Sequence, residues 1–245
     1  MSTSESIISH LLELRKRLLN SFIAVVVVFL CLVYWTSDLY TLLAQPLLSK
    51  LPQGGQMIAT DITTPFFVPL KVTMMASFLV ALPYILYQIW RFVAPGLYAH
   101  EKKFVVPLIF ASTLLFFCGM SFAYFVVFPA VFKFVIASTP QGVAVMTDID
   151  KYLSFVLGMF MAFGITFQVP VAVVILVRMG FVSVEKLRDS RRYVLVGAFV
   201  IGAIFTPPDV LSQLMLAIPL YLLYEAGIVA ALWMKPKAKS EVLSQ

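Results

Sequence analysis

The sequence predicts an all-α polytopic membrane protein with six transmembrane helices, kinked and joined by outer loops that carry short interfacial helices. Composition is the first reason: 61% of the 245 residues are hydrophobic, 12% are charged, and the mean hydropathy is +0.97. An ordinary soluble domain is far more polar. Segmentation is the second, because six apolar runs approach the ~20 residues a spanning helix needs. They lie at about 19–35, 70–92, 104–129, 152–179, 193–206 and 210–234, with a short polar tail at 235–245, and we expect them to form a single membrane domain. The third reason is charge asymmetry between the two sides, which gives an even number of crossings.

The first run is read as retained rather than as a cleaved leader, since no small-residue cleavage site follows it. Ahead of it, residues 5–20 wound at ~100° per residue place Ile7, Ile8, Leu11, Leu12, Leu14, Leu18 and Leu19 on one stripe. The outer loop 36–69 includes DLYTLLAQPLLSKLP, whose leucines recur at helical spacing between Pro46 and Pro52, which predicts interfacial helices there. A Pro95-Gly96 turn separates spans two and three, and a second outer loop covers 130–151. Proline at 83, 95, 107, 129, 170, 207, 208 and 219 predicts helices that bend or end, because each ring removes a backbone donor. Kinks of this kind also serve packing alone. The fifth span is short: positions 193–206, at ~1.5 Å each, reach only about 21 Å against ~30 Å of hydrocarbon. Thinned lipid beside spans five and six is the expected response.

Basic residues sort by side. Arg15, Lys16, Arg17, Arg91, Lys102, Lys103, Arg178, Lys186, Arg188, Arg191, Arg192, Lys235, Lys237 and Lys239 share one side, leaving Lys50, Lys71, Lys133 and Lys151 on the other. The positive-inside rule then puts both termini in the cytoplasm. That distribution accounts for the net charge of +6 without nucleic acid as a partner. Nothing points to an enzyme or a cofactor: no GxxxxGK[ST] or GxGxxG loop is present, and no His/Cys/Asp/Glu cluster has metal-ligand spacing. The only histidines, His10 and His100, fall at helix ends and leave a Ser/His protease without a base. Cys31 and Cys118 lie in apolar runs and suggest no disulfide function.

Polar groups within or beside the spans are the candidate functional residues. Gln168, two positions before Pro170 in span four, suits either helix-to-helix glue or a polar contact on a partner helix. Glu225 lies in span six. Glu13 falls opposite the leucine stripe, on a face with Ser6, Ser9, Lys16, Arg17 and Asn20, where an ordinary i,i+4 pair with Arg17 explains it. Arg15 projects toward the leucines and must snorkel or find an acid. Glu101, in YAHEKKF, sits in a first helical turn that favours an acid, beside an apolar patch of Phe92, Leu97 and Tyr98.

Four segments, HLLELRKRL, FVAPGLYAHEKK, FMAFGITFQVP and TPPDVLSQ, closely resemble the TatC family, in register with six spans from about residue 7 to 233. The resemblance implies a cup-like six-helix bundle in a bacterial cytoplasmic (inner) membrane. Its implied function is core receptor of the twin-arginine, Sec-independent protein translocase, binding signal peptides of folded cargo for export driven by the proton motive force. The implied partners are the single-span subunits TatA and TatB, twin-arginine signal peptides, the lipid bilayer, and further copies of the receptor in one complex. Glu13 and Glu101 match the acids that meet the signal's arginine pair, with Arg15, Arg17, Phe92, Leu97 and Tyr98 on the same surface. Pro46, Thr206, Asp209 and Gln213 fall on motif positions, and spans five and six match the partner-docking region. Gln168 departs from those members that carry Glu there, and an amide cannot titrate.

The two readings meet in chemistry, since a guanidinium offers a planar donor fork that a carboxylate accepts, whereas an ammonium offers a point charge. A secondary transporter for ions or small solutes is the alternative. It is supported only by Gln168, Pro170 and Pro83 near the bilayer middle, without an inverted repeat or a buried charge cluster.

Overall fold

A computed structural model of the chain describes residues 3–48, 57–93, 105–137, 147–205 and 210–233, and nearly all of them are helical. In an apolar solvent every backbone N–H and C=O must be satisfied within its own segment, so apolar runs of this composition fold as helices. Five stretches among the described residues are long and apolar enough to cross a membrane, running Ile8–Leu43, Thr64–Val93, Val106–Phe134, Ile149–Arg178 and Gln213–Trp233. Contacts divide the chain into two compact units, residues 1–95 with 135–158 and residues 96–134 with 159–245.

In the first unit, α1 (Thr3–Leu32) passes through one 3-10 turn at Val33–Trp35 into α2 (Thr36–Leu48). The turn is held by the Thr36 hydroxyl, which donates to the Val33 carbonyl at 2.7 Å. The sequence places a helical stretch at 5–20 ahead of a span at 19–35 and interfacial helices in the loop 36–69; helix runs without a break from Thr3 to Leu32 across the first two, and α2 follows at once after the turn, with Pro46 inside it. Helix α3 (Thr64–Val93) packs along both α1 and α2. It continues through Pro69 and Pro83. Two buried hydroxyls on it bond back to their own helix, Thr73 to the Pro69 carbonyl at 2.9 Å and Ser77 to the Thr73 carbonyl at 2.7 Å. No residue in the apolar window of α1 is buried, and Leu18, Phe22, Ile23, Val27 and Leu30 all face outward, which suits lipid.

A two-residue parallel bridge pairs Met57–Ile58 with Thr147–Asp148. Asp148 then caps α6 (Ile149–Thr166), accepting from the backbone N–H of Asp150 at 2.8 Å and of Lys151 at 3.2 Å. The Thr60 hydroxyl also donates to this carboxylate. That hydroxyl first, then the capped backbone, holds the Asp148 carboxyl below its ordinary value of 3.8. Lys71 on α3 reaches Asp150 at 2.5 Å.

In the second unit, α4 (Val105–Phe122) leads through a π-helical segment, Ala123–Val127, into α5 (Phe128–Ala137). The sequence ends the third span at Pro129, yet the helix runs past it. The wider turns just before that proline relieve the clash its ring would make with the preceding turn. The fourth span, placed at 152–179 with Pro170 expected to bend or end a helix, breaks at Phe167-Gln168 between α6 and α7 (Val169–Arg178), where Pro170 takes the second position of the new helix. Gly180, at φ 75°, ends α7 in the left-handed region, and the Phe181 N–H closes back on Leu176. Short α8 (Val184–Asp189) follows, with Ser183 as its cap.

Helices α9 (Arg191–Phe205) and α10 (Val210–Trp233) pack on each other, and α10 also packs on α7 and α8. Helix α9 has 15 residues, about 22 Å at ~1.5 Å per residue. Glycine permits close approach of neighbouring backbone at Gly119 and Gly227. A Cβ on Gly119 would lie 2.5 Å from the Phe163 carbonyl oxygen, and one on Gly227 would lie 2.9 Å from Pro170 Cα.

Candidate functional site

The N-terminal part of α1 and the C-terminal part of α3 form a polar site in the first unit. Residues 84, 87, 88 and 91 repeat at three and four along α3, so they share a face, and Glu13 and Arg17 are one turn apart on α1. Arg17 Nε donates to Glu13 Oε1 at 3.0 Å, and Arg17 Nη2 donates to the same oxygen. Arg17 Nη1 donates to Gln88 Oε1 at 3.2 Å, and Gln88 Nε2 donates to the Tyr84 hydroxyl at 2.7 Å. The chain Glu13–Arg17–Gln88–Tyr84 therefore ties the two helices together. Its acid stays wet: the Glu13 side chain is 39% exposed against 15% for Arg17.

Two aromatic contacts frame this network. Arg91 Nη1 donates to the Tyr87 hydroxyl at 3.0 Å, with the guanidinium 5.8 Å from that ring's centre. His10 stacks on Phe92, with ring centres 4.4 Å apart and planes at 17°. A polar cavity of about 360 Å³ opens beside the network and is lined by Leu12, Glu13, Lys16, Arg17, Asn20, Gln88 and Arg91.

The sequence-derived candidates distribute as follows. Glu13, Arg17 and Phe92 sit together at this end of α1 and α3, and Arg15 is exposed on α1. Glu101, Leu97, Tyr98, Thr206 and Asp209 lie outside the described residues. Gln88 was missed by the sequence reading, although the rule that singled out Gln168 applies equally to it. It is a strongly polar residue inside an apolar run, and it is 5% exposed.

The amides of the second unit behave differently. Gln168, in the break between α6 and α7, donates from Nε2 to the Ser112 carbonyl at 2.8 Å. Its Oε1 is buried without a partner among the described residues. Gln213 on α10 donates from Nε2 to the Phe199 carbonyl of α9 at 2.8 Å. Glu225 pairs with Arg191 at 2.6 Å, bringing an acid of α10 to the start of α9. Each of these side chains joins elements of its own unit.

Residues 9–219 match the family model described as TatC, Sec-independent protein translocase protein. The chain is 58% identical over 225 residues to the Sec-independent protein translocase protein TatC of Escherichia coli strain K12, covering 92% of this chain and 87% of that one. To the protein of the same name from Haemophilus influenzae it is 50% identical over 234 residues, covering 96% and 91%. A solved structure described as the twin arginine translocase receptor TatC superposes with a TM-score of 0.81 at 41% identity, covering 91% of this chain and 98% of that one. A second structure of that receptor, in DDM, gives 0.81 at 40% identity, covering 91% and 99%. The five membrane-length helices, the α1–α3 network and these likenesses lead to one conclusion: the chain is a multi-pass membrane protein that belongs to the TatC family of Sec-independent protein translocase proteins.

Proposed function

We infer that this chain is the receptor subunit of a twin-arginine protein translocase, that it lies in a bacterial inner membrane with both termini cytoplasmic, and that Glu13 receives an arginine of the signal peptide. One observation supports the residue assignment above the others. Glu13 already accepts two hydrogen bonds from a guanidinium, its own Arg17, while remaining well exposed. An incoming arginine offers the same planar donor set, so exchanging one guanidinium for another costs little, whereas a lysine supplies only a point charge. Arg17 keeps a second acceptor in Gln88, so it stays anchored to α3 when it releases the acid.

Glu101, Leu97 and Tyr98 complete the proposed signal surface with Arg15 and Phe92. The signal's apolar stretch would lie against the aromatic side of that surface. TatA and TatB are the proposed single-span partners, with several receptor copies per complex, and spans five and six, with Pro46, Gln168, Thr206, Asp209 and Gln213, are the proposed docking and shaping positions. The amides bind fixed carbonyls of their own unit and carry no titratable proton.

The test is the affinity of the full chain, in detergent or nanodiscs, for a labelled signal peptide bearing Arg-Arg. Removing a charge-assisted hydrogen bond costs about 1.5–3 kcal/mol, so Glu13→Gln is expected to weaken binding roughly 10- to 100-fold. Unchanged affinity in a folded Glu13→Gln chain rejects the assignment.

A further inference from the structure

The cavity beside Glu13 has more positive charge than its acid can balance. Lys16, Arg17 and Arg91 line it together with Asn20 and Gln88, and Glu13 is the one carboxylate among its described lining residues. That acid already receives Arg17, and Arg17 is further engaged by Gln88. Lys16 and Arg91 therefore bring two positive charges from two different helices to a polar space of about 360 Å³. Both side chains are exposed, so neither is buried for a packing role.

The position of this cavity along the helices narrows the choice of ligand. On α1 its lining residues, from Leu12 to Asn20, bracket the start of the long apolar run that includes Phe22, Ile23, Val27 and Leu30 on its outward face, and on α3 it lies in the last two turns. That is the level at which an apolar helix leaves hydrocarbon and meets the phosphate layer of the bilayer. A phosphodiester is the anion present there at high local concentration, and its oxygens match ammonium and guanidinium donors. Leu12 on the rim supplies apolar contact for the lipid backbone.

We propose that the cavity between α1 and α3 is a binding site for the phosphate headgroup of an anionic phospholipid, held by Lys16 and Arg91 with Asn20 as a neutral donor. The bound phosphate offsets the excess positive charge beside Glu13. A consequence for cargo rests on the receptor reading: without the lipid, two arginines arriving at Glu13 meet two further cations. The binding itself does not depend on that reading.

The experiment titrates phosphatidylglycerol against the detergent-solubilised full chain and counts retained lipid by native mass spectrometry, without any peptide. Lys16→Gln/Arg91→Gln is expected to lower phosphatidylglycerol affinity about tenfold, as two interfacial charges warrant. Lys16→Arg/Arg91→Lys, which keeps both charges, is expected to retain wild-type affinity and answers for any folding defect in the first variant. Lys186→Gln/Arg192→Gln removes two cations elsewhere and is expected to have no effect. An equal loss in that control, or none in Lys16→Gln/Arg91→Gln, overturns the site. Displacement of phosphatidylglycerol by millimolar inorganic phosphate would assign the cavity to free phosphate and overturn the lipid. Peptide affinity, measured separately, reports on the receptor reading whichever way the lipid result falls.

Discussion

The polar network at the end of α1 and α3 and the half-buried amides of the second unit use similar residues for opposite ends. In the first, every link runs from side chain to side chain, and the terminal acid is exposed. In the second, Gln168 and Gln213 each donate to a backbone carbonyl of a helix in the same unit. A backbone acceptor is fixed by the fold, so its partner is a spacer and a clamp. A side-chain acceptor that faces water has a competitor for every bond, so its partner can be exchanged. Polarity within an apolar chain therefore does not identify a binding residue by itself; the kind of atom at the other end of the bond does.

The largest effect that sharpens this contrast belongs to packing in the second unit. Gly119→Leu places a side chain against the Phe163 carbonyl, with Phe167 beside it. Overpacking of this kind costs typically ~1–3 kcal/mol. A clearly lowered melting temperature is expected in detergent, together with peptide affinity near wild type at temperatures where the chain stays folded. Glu13→Gln is expected to show the reverse pattern, with the loss of peptide affinity given above and a stability change near zero. An exposed i,i+4 pair contributes only ~0.3–0.5 kcal/mol.

Gln168→Leu comes next. It removes the bond to Ser112 and also the buried, unpartnered Oε1. The two changes oppose each other, and interhelical hydrogen bonds in membranes average about 0.6 kcal/mol. The thermal shift is therefore expected to be small and peptide affinity unchanged. If Gln168→Leu weakened the peptide as much as Glu13→Gln, the distinction between clamp and exchangeable partner would fail.

The smallest effect is in pH dependence. Because Asp148 has its pKa depressed by the Thr60 hydroxyl and the start of α6, its contribution is present above the ordinary value of 3.8 and is lost as pH falls through the lower folded value. Thermal melts in acid are expected to show a fall in stability below about pH 3.8 that is reduced in Asp148→Asn. Peptide affinity near neutral pH is expected to be the same in both chains.

Much of this architecture is legible in the sequence because the bilayer imposes one simple rule, apolar length. The composition marks an all-α membrane chain, and the short apolar run after Arg192 marks a short helix, α9, of 15 residues. Junctions are less legible. Helix continues through Pro129 because the π segment before it absorbs the ring, and span four breaks at Phe167-Gln168, three residues past Gly164 and just ahead of Pro170. Such local rearrangements depend on neighbouring helices rather than on hydropathy.

The Glu13–Arg17 pair is legible from spacing of four. The third member, Gln88, lies 71 positions from Arg17 and joins only when α1 and α3 pack. His10 against Phe92 is equally non-local, so the aromatic candidate of the sequence reading has a ring partner that no periodicity on either helix announces.

The central claim is that Glu13 exchanges its own arginine for an arginine of the signal peptide. Photocrosslinking from a probe at position 9, one turn before an intact Glu13 on α1, tests it most directly in the full membrane-embedded chain, using signal peptides that differ only in Arg-Arg or Lys-Lys. The account predicts strong crosslinking to the Arg-Arg peptide and a much weaker product with Lys-Lys. Equal yields from the two peptides, or none from either with the protein folded, would contradict it.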